Sequence, residues 1–328
     1  MRRTTAQERT NTSAGTGTAR RTADDGRAAR PFWGVATGAV TLGVAPVLLD
    51  LSKASAATAS FFRCVIALPF LALLAVPERR REGAPTRHQH GTAALAGLLF
   101  AGDMLLWTQS IGEVGAGLST VLVNVQVVLV PLLAWAVDRE PVPRRFLCWL
   151  PVLAVGVVLT GGVVGGGGTG SDPAAGTLHA VLAALCYSGF LFLLRRGGGG
   201  GHARQTYTVV TLAAATGSLL AGLLWYGVDL APAAPTLGWL AGAAFTSGVV
   251  GWLLVAVHSP GLPSHIGAIL LLLTPVAALA LSAAALGERP GPLQIAGCAV
   301  LLAGAYGATA GARGAGARPG AHPGRERP

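Results

Sequence analysis

The chain has 328 residues, of which only 12% are charged and 52% are hydrophobic, and its mean hydropathy is +0.57. A soluble protein carries about 25% charged residues, so this chain lacks the polar groups to cover a globular surface, and its composition points to lipid as solvent. The net charge is +10, but the Lys and Arg residues flank apolar runs. A nucleic-acid partner calls for a basic soluble face instead, so no nucleic acid is expected.

Residues 1–30 are rich in Arg, Thr, Ala and Gly without apolar period and read as a disordered cytoplasmic tail. They do not read as a signal peptide. The apolar run from Pro31 is long enough to span, and Val47-Leu48-Leu49-Asp50 has no A-x-A-like cleavage site. From Pro31 onward come runs near the roughly 20 residues a bilayer requires. They predict spans at 31–50, 56–76, 92–112, 115–137, 146–164, 177–194, 206–228, 237–257, 266–286 and 292–310. The runs are continuous, not the ten-residue alternating segments of a membrane barrel. The clearest are Gly115–Val137 and Ile266–Leu286, which contain no charge; the weakest are 177–194 and 292–310, short and rich in Ala and Gly. Gly34-Val-Ala-Thr-Gly38 has small-xxx-small spacing, which lets helices approach closely.

Residues 161–176 and 197–201 are Gly-rich connectors. Neither is a phosphate loop, which needs Gly-Lys-Ser/Thr, and Lys53 is the sole lysine. Cys64, Cys148, Cys186 and Cys298 lie in or beside apolar runs with no CxxC spacing, and read as small packing residues. No metal, cofactor or nucleophile–base constellation is expected, and the chain does not read as an enzyme.

With the N-terminus placed in the cytoplasm, 21 of the 24 Lys and Arg residues fall in cytoplasmic segments. Only Lys53 and Arg289 fall outside, and Arg63 lies in a span. This asymmetry predicts an even span number with both termini inside.

The second half repeats the first at an offset of 148 residues. Glu140 meets Glu288, Leu122 meets Leu270, Ala136 meets Ala284, Val152 meets Val300, Leu153 meets Leu301 and Gly156 meets Gly304. In each half an uncharged span ends in an acidic residue, followed within two residues by proline. Five spans per half is an odd number, so the halves cross in opposite senses, the arrangement behind alternating access around a midplane site.

The segment Ala59-Ser-Phe-Phe-Arg63-Cys-Val-Ile-Ala-Leu resembles the second span of EamA-type proteins in the drug/metabolite transporter superfamily. Asp138-Arg-Glu140-Pro141 and Leu286-Gly-Glu288-Arg-Pro290 resemble that family's twice-repeated L-G-E-R hinge. The first copy departs from it, with Asp138 for Leu and Arg139 for Gly. Pro275 sits where the family has a ninth-span proline; Val127 holds that register in the first half, with Pro131 nearest. The resemblance covers residues 31–310 and implies ten spans, cytoplasmic termini and secondary transport, without naming a substrate.

The ionisable and amide side chains within spans are the candidate site. Asp103 is the only acid placed well inside a span, where a carboxylate must be paired, wet or protonated. Two readings stand: a proton-coupling group, or a structural partner of Arg63 or of a backbone group. Trp107 and Ser110 share its helix face. Asn124 and Gln126 lie about 200° apart on a regular helix, so both reach one cavity only if that helix is irregular; Pro131 is one source of irregularity. Arg63 lies about seven residues into its span, within snorkelling range. His179 and Tyr187 share a face of the sixth span. Trp252 lies deep in the eighth, where lipid contact or packing is the simpler expectation. Glu140 and Glu288, with Pro275, read as hinge residues.

These residues predict an all-α polytopic membrane protein of about ten transmembrane helices in two inverted five-helix repeats. The divisions are a tail (1–30), a first repeat (31–164), a Gly-rich extracytoplasmic loop (165–176), a second repeat (177–310) and a disordered cytoplasmic tail (311–328). The expected function is secondary transport in the cytoplasmic membrane, exporting a small organic metabolite or drug-like compound, with Trp107, Asn124, Gln126, Tyr187 and Trp252 binding substrate. Asp103 and Arg63 would couple to protons. The alternatives are a non-transporting scaffold or receptor, an importer, and a lipid-carrier flippase. The sequence is silent on oligomeric state.

Overall fold

The computed structural model describes residues 31–139, 144–162, 170–197, 202–258 and 270–313. Among them every regular element is helical. In chain order the apolar helices of ten residues or more among the described residues are α1 (Pro31–Ser52), α2 (Ala56–Glu82), α3 (Arg87–Val114), α4 (Ala116–Asp138), α5 (Leu150–Thr160), α6 (Pro173–Leu194), α7 (Ala203–Trp225), α8 (Ala234–Val255), α9 (Leu273–Leu286) and α10 (Pro292–Gly307); a single turn, Arg144–Leu147, precedes α5. Seven are long and apolar enough to cross a membrane; α5, α9 and α10 are shorter apolar helices.

Polar caps set several boundaries and lengthen the expected spans. Ser55 accepts from the N–H of Thr58 at 3.2 Å and starts α2. Thr86 and Gln89 form a reciprocal capping box, which satisfies two otherwise orphaned donors. It starts α3 at Arg87, five residues before the expected boundary. Asp172 accepts from the N–H of Ala175 at 3.0 Å, and Pro173 follows with its φ preset for a first turn. The sixth helix therefore begins at 173, and residues 173–176 are helix where the sequence reading expected loop. The run 177–194, read as weak, lies in a long apolar helix, whereas the run 266–286, read as clear, is described only from 270. Glu140, the tail 1–30, the glycine-rich 163–169 and 198–201, and the tail from 314 lie outside the described residues; 311–313 continue the last helix.

The helices pair in a pattern that survives exchange of the two halves. α2 packs on α7, α4 on α9 and α5 on α10; α3 packs on α6, and its counterpart α8 packs on α1. These pairs run antiparallel. Gly156, Leu153 and Trp149 of the α5 segment lie beside Leu301, Gly304 and Gly307, one index falling as the other rises. Likewise Gly34 lies beside His258 and Gly38 beside Val255. Small residues allow this closeness. A Cβ on Gly117 would meet the Leu279 Cα at 2.9 Å, so glycine there lets α4 and α9 touch backbone to backbone.

Several helices are locally irregular near their midpoints. α1 has a turn at 43–44, α4 at Asn124–Val125, and a further turn falls at Leu272, just ahead of α9. In α8, Ala244–Gly251 is wound as π-helix. Such departures gather at functional sites in membrane helices because the freed backbone can line a cavity.

Candidate functional site

These irregular segments converge on a cavity of about 270 Å³. Its wall takes Leu42 from α1, Arg63 from α2, Phe100, Asp103, Met104 and Trp107 from α3, Thr120, Val123, Asn124, Gln126 and Val127 from α4, Tyr187 from α6, Ser247 and Trp252 from α8, and Leu271, Leu272 and Thr274 at α9. Three of these residues precede a proline by four: Leu42 before Pro46, Val127 before Pro131 and Leu271 before Pro275. Proline has no N–H, so none of the three carbonyls receives its ordinary helical bond. Pro275, read as a hinge, is buried in the first turn of α9.

Arg63 and Asp103 are the charged side chains of that wall. Lys53 pairs with Asp50 and His179 contacts Glu113, but Arg63 and Asp103 form no such pair with each other. Arg63 donates from Nη2 to the Ser247 hydroxyl at 3.3 Å, and its guanidinium carbon lies 5.4 Å from the Trp107 ring centroid. Its Nη1 is buried without a partner. Asp103 is 7% exposed. It lies within electrostatic reach of Arg63 but makes no hydrogen bond to a described protein group. Ser110, on the Asp103 face, turns away from the cavity, bonding the Trp107 carbonyl at 2.9 Å and the hydroxyl of Ser119.

Asn124 and Gln126 both line the cavity, because α4 is irregular between them. The Asn124 side-chain amide donates to the Thr120 carbonyl at 2.8 Å, taking the acceptor that its own backbone N–H would use in an α-helix. That N–H bonds Val121 instead, and the N–H groups of Val125, Val127 and Val128 also bond three residues back. The tightened turn closes the angle between the two amides. Pro131 was expected as one source of irregularity; the turn lies about two helical turns before that proline and is set by Asn124. The Gln126 Oε1, Thr274 Oγ1 and Trp107 Nε1 are buried without partners.

Tyr187 lies on the wall with its ring 5.6 Å from Phe190, itself stacked on Phe100 at 4.7 Å. Trp252, for which lipid or packing was the simpler expectation, lines the cavity while remaining 36% exposed. His179 is not on the wall. Its Nδ1 lies 2.5 Å from the Glu113 carboxylate, which also accepts from Gln109 at 2.8 Å. Glu288 stands well away, capping α4. Ser247 and Glu113 were absent from the sequence reading: one serine among many gives no signal before the π-helical turn is seen, and Glu113 fell just past the expected end of the third span.

A wider cleft of about 550 Å³ lies between the α1–α2 and α7–α8 turns. Its polar groups satisfy one another: Ser55 donates to the Gly227 carbonyl at 2.9 Å, the Asp229 N–H to Thr58 at 2.9 Å, and Thr236 to the Ser52 carbonyl at 3.2 Å. It presents no unpaired buried group, and the central cavity is the stronger candidate.

The fold and cavity define a multi-pass helical membrane protein whose central cavity draws its lining from both halves of the chain. The sequence matches the model of the EamA-like transporter family twice, over residues 32–162 and 174–310. The chain belongs to the EamA-like transporter family, of the drug/metabolite transporter type. A solved structure titled only as a crystal structure of a protein is similar at 17% identity and a TM-score of 0.55, covering 88% of this chain and 99% of that one. That likeness concerns the fold alone. No curated protein matches the sequence.

Proposed function

We propose that this chain is a secondary transporter that moves a small organic molecule by alternating access, with the cavity between Arg63, Asp103, Asn124 and Trp252 as its substrate site. The observation that carries the reading is the convergence of unpaired buried polar atoms on one cavity built from both halves. Buried polar groups without partners are costly, and a passing ligand or water is the natural partner. The antiparallel pairing of equivalent helices supports two inverted five-helix halves, hence ten spans with both termini in the cytoplasm, as the charge asymmetry requires. We assign proton coupling to Asp103, the one carboxylic acid side chain of the wall.

The test compares intracellular and extracellular metabolites of a deletion strain and its complemented parent. Export predicts that one compound accumulates inside the deletion strain; import predicts the reverse. The compound identified should then move through purified protein in vesicles. Absence of any difference, and of any flux, would favour the scaffold reading. An imposed pH gradient should drive accumulation in wild type and not in Asp103→Asn; unchanged coupling in that variant removes Asp103 from the proposal and leaves transport standing.

A further inference from the structure

A cluster of arginines lies away from the central cavity, at the C-terminal end of α2. That helix has 27 residues, about 40 Å of rise, against about 30 Å of hydrocarbon in a bilayer. Its apolar part ends at Val76, so the last turns carry Arg79, Arg80 and Arg81 into the headgroup layer. All three are exposed. Just before them Phe70, Leu73, Leu74 and Val76 are exposed too, Leu73 at 71%, on a surface that lipid covers. Arg80 lies seven residues after Leu73 and four after Val76, and Arg81 lies seven after Leu74, so the apolar stripe runs straight into guanidinium groups on one helix face. Arg204, at the start of α7, is exposed and reaches α2, donating from Nη1 to the Leu74 carbonyl at 3.4 Å. Glu78, the acid beside the arginines, has both oxygens occupied by the N–H groups of Arg204 and Gln205.

The fold does not require arginines there. α7 is the counterpart of α2 in the other half, and its exposed stripe ends without them. Leu220, Leu223 and Leu224 lead instead to Trp225, 84% exposed, an aromatic of the kind that sits at a membrane interface. We propose that the end of α2, together with Arg204, binds one anionic phospholipid, its phosphate held by Arg80, Arg81 and Arg204 and an acyl chain lying along Leu73 and Val76. Guanidinium forks match phosphate oxygens in pairs, and the adjoining apolar stripe selects a lipid over a free phosphate. A topology signal needs these charges only during insertion, whereas a bound headgroup needs them in the finished fold. The site is independent of the transported compound and of the direction of transport. It bridges α2 and α7, so its occupancy holds that pair together.

The test is a lipid titration of the purified full-length chain in detergent, read by native mass spectrometry and by melting temperature. The probes are dioleoylphosphatidylglycerol, dioleoylphosphatidylcholine and inorganic phosphate. One phosphatidylglycerol should bind about tenfold more tightly than phosphatidylcholine and raise the melting temperature, and inorganic phosphate should not raise it. The double variant Arg80→Gln/Arg81→Gln should weaken phosphatidylglycerol by about fivefold for each arginine removed and leave phosphatidylcholine unchanged. Arg144→Gln removes an exposed charge from the turn before α5 and should leave both lipids unchanged. Arg204→Gln, a single change at an exposed helix start, should weaken phosphatidylglycerol about fivefold, and it keeps the test decisive if the double variant does not fold. Three results would each overturn the proposal: phosphatidylglycerol bound no more tightly than phosphatidylcholine, inorganic phosphate stabilising the protein as well as the lipid does, or Arg144→Gln losing as much affinity as Arg204→Gln.

Discussion

Glu288, just past the end of α9, accepts hydrogen bonds from the backbone N–H groups of Ala116 at 2.6 Å and Gly117 at 3.2 Å, the first two residues of α4. Gly115 precedes them at φ 103 and has no side chain with which to cap the helix. The acid that follows a span of one half therefore caps a helix of the other. At the far end of α3, Glu78 of α2 does the same for α7, accepting from the N–H of Arg204 at 3.1 Å and of Gln205 at 2.9 Å. Negative charge at a helix N-terminus also gains from the helix dipole.

Removing either carboxylate should destabilise one end of the bundle. Glu288→Ala and Glu78→Ala are each expected to cost about 0.5–2 kcal/mol, read as a lower melting temperature of the purified protein. Because the two caps lie at opposite ends, they should differ in which side of the cavity opens. Labelling with a membrane-impermeant thiol reagent, after a cysteine is introduced at Thr274, should rise from one side in one variant and from the opposite side in the other. The same side for both would refute the prediction.

Asn124 shapes α4 through its bond to the Thr120 carbonyl. Asn124→Leu removes that competitor and should return the turn to regular helix, swinging Gln126 off the cavity wall. Transport of the compound found by metabolite comparison should fall about tenfold or more, while the melting temperature holds or rises, since leucine favours helix over asparagine. Asn124→Asp, which keeps an acceptor but loses the amide donor, should not rescue it.

The class of fold was legible from the sequence because lipid imposes a coarse signal: charge depletion and span-length runs. Arg63 and Asp103 were legible as site candidates for the same reason, since ionisable groups stand out in apolar helices, and Trp107 was legible through its spacing from Asp103. What the sequence concealed is what three-dimensional approach decides. Glu288 reads as the end of its own span, yet its partners are Ala116 and Gly117, about 170 residues away. Asn124 and Gln126 point apart on an ideal helix and reach one cavity because Asn124 tightens its own turn. Trp252 in an apolar run looks the same whether it faces lipid or a cavity.

The His179–Glu113 contact ties α6 to the end of α3, with the Glu113 side chain only 12% exposed. His179→Leu leaves that carboxylate with Gln109 alone, and the expected cost is about 1–3 kcal/mol, the penalty for stranding a buried acceptor. Glu113→Leu in the same background should restore part of the loss, because both partners are then apolar. A double variant as unstable as the sum of the singles would show that the two groups do not interact.

Ser247 positions Arg63 without lining up as a candidate on its own. Its hydroxyl donates to the Ala243 carbonyl at 2.7 Å and accepts from Arg63 at 3.3 Å, so the π-helical turn hands the guanidinium a fixed oxygen. Ser247→Ala removes a bond to a charged group worth about 1.5–3 kcal/mol. Freed from that tether, Arg63 can swing toward Asp103 and close the gap between the charges. The apparent KM for transport should rise about tenfold or more, with the maximal rate changed less, because the loss falls on substrate binding. Ser247→Thr, which keeps the hydroxyl, should restore the wild-type KM, whereas a purely structural role would leave KM unmoved in Ser247→Ala and show only in the melting temperature.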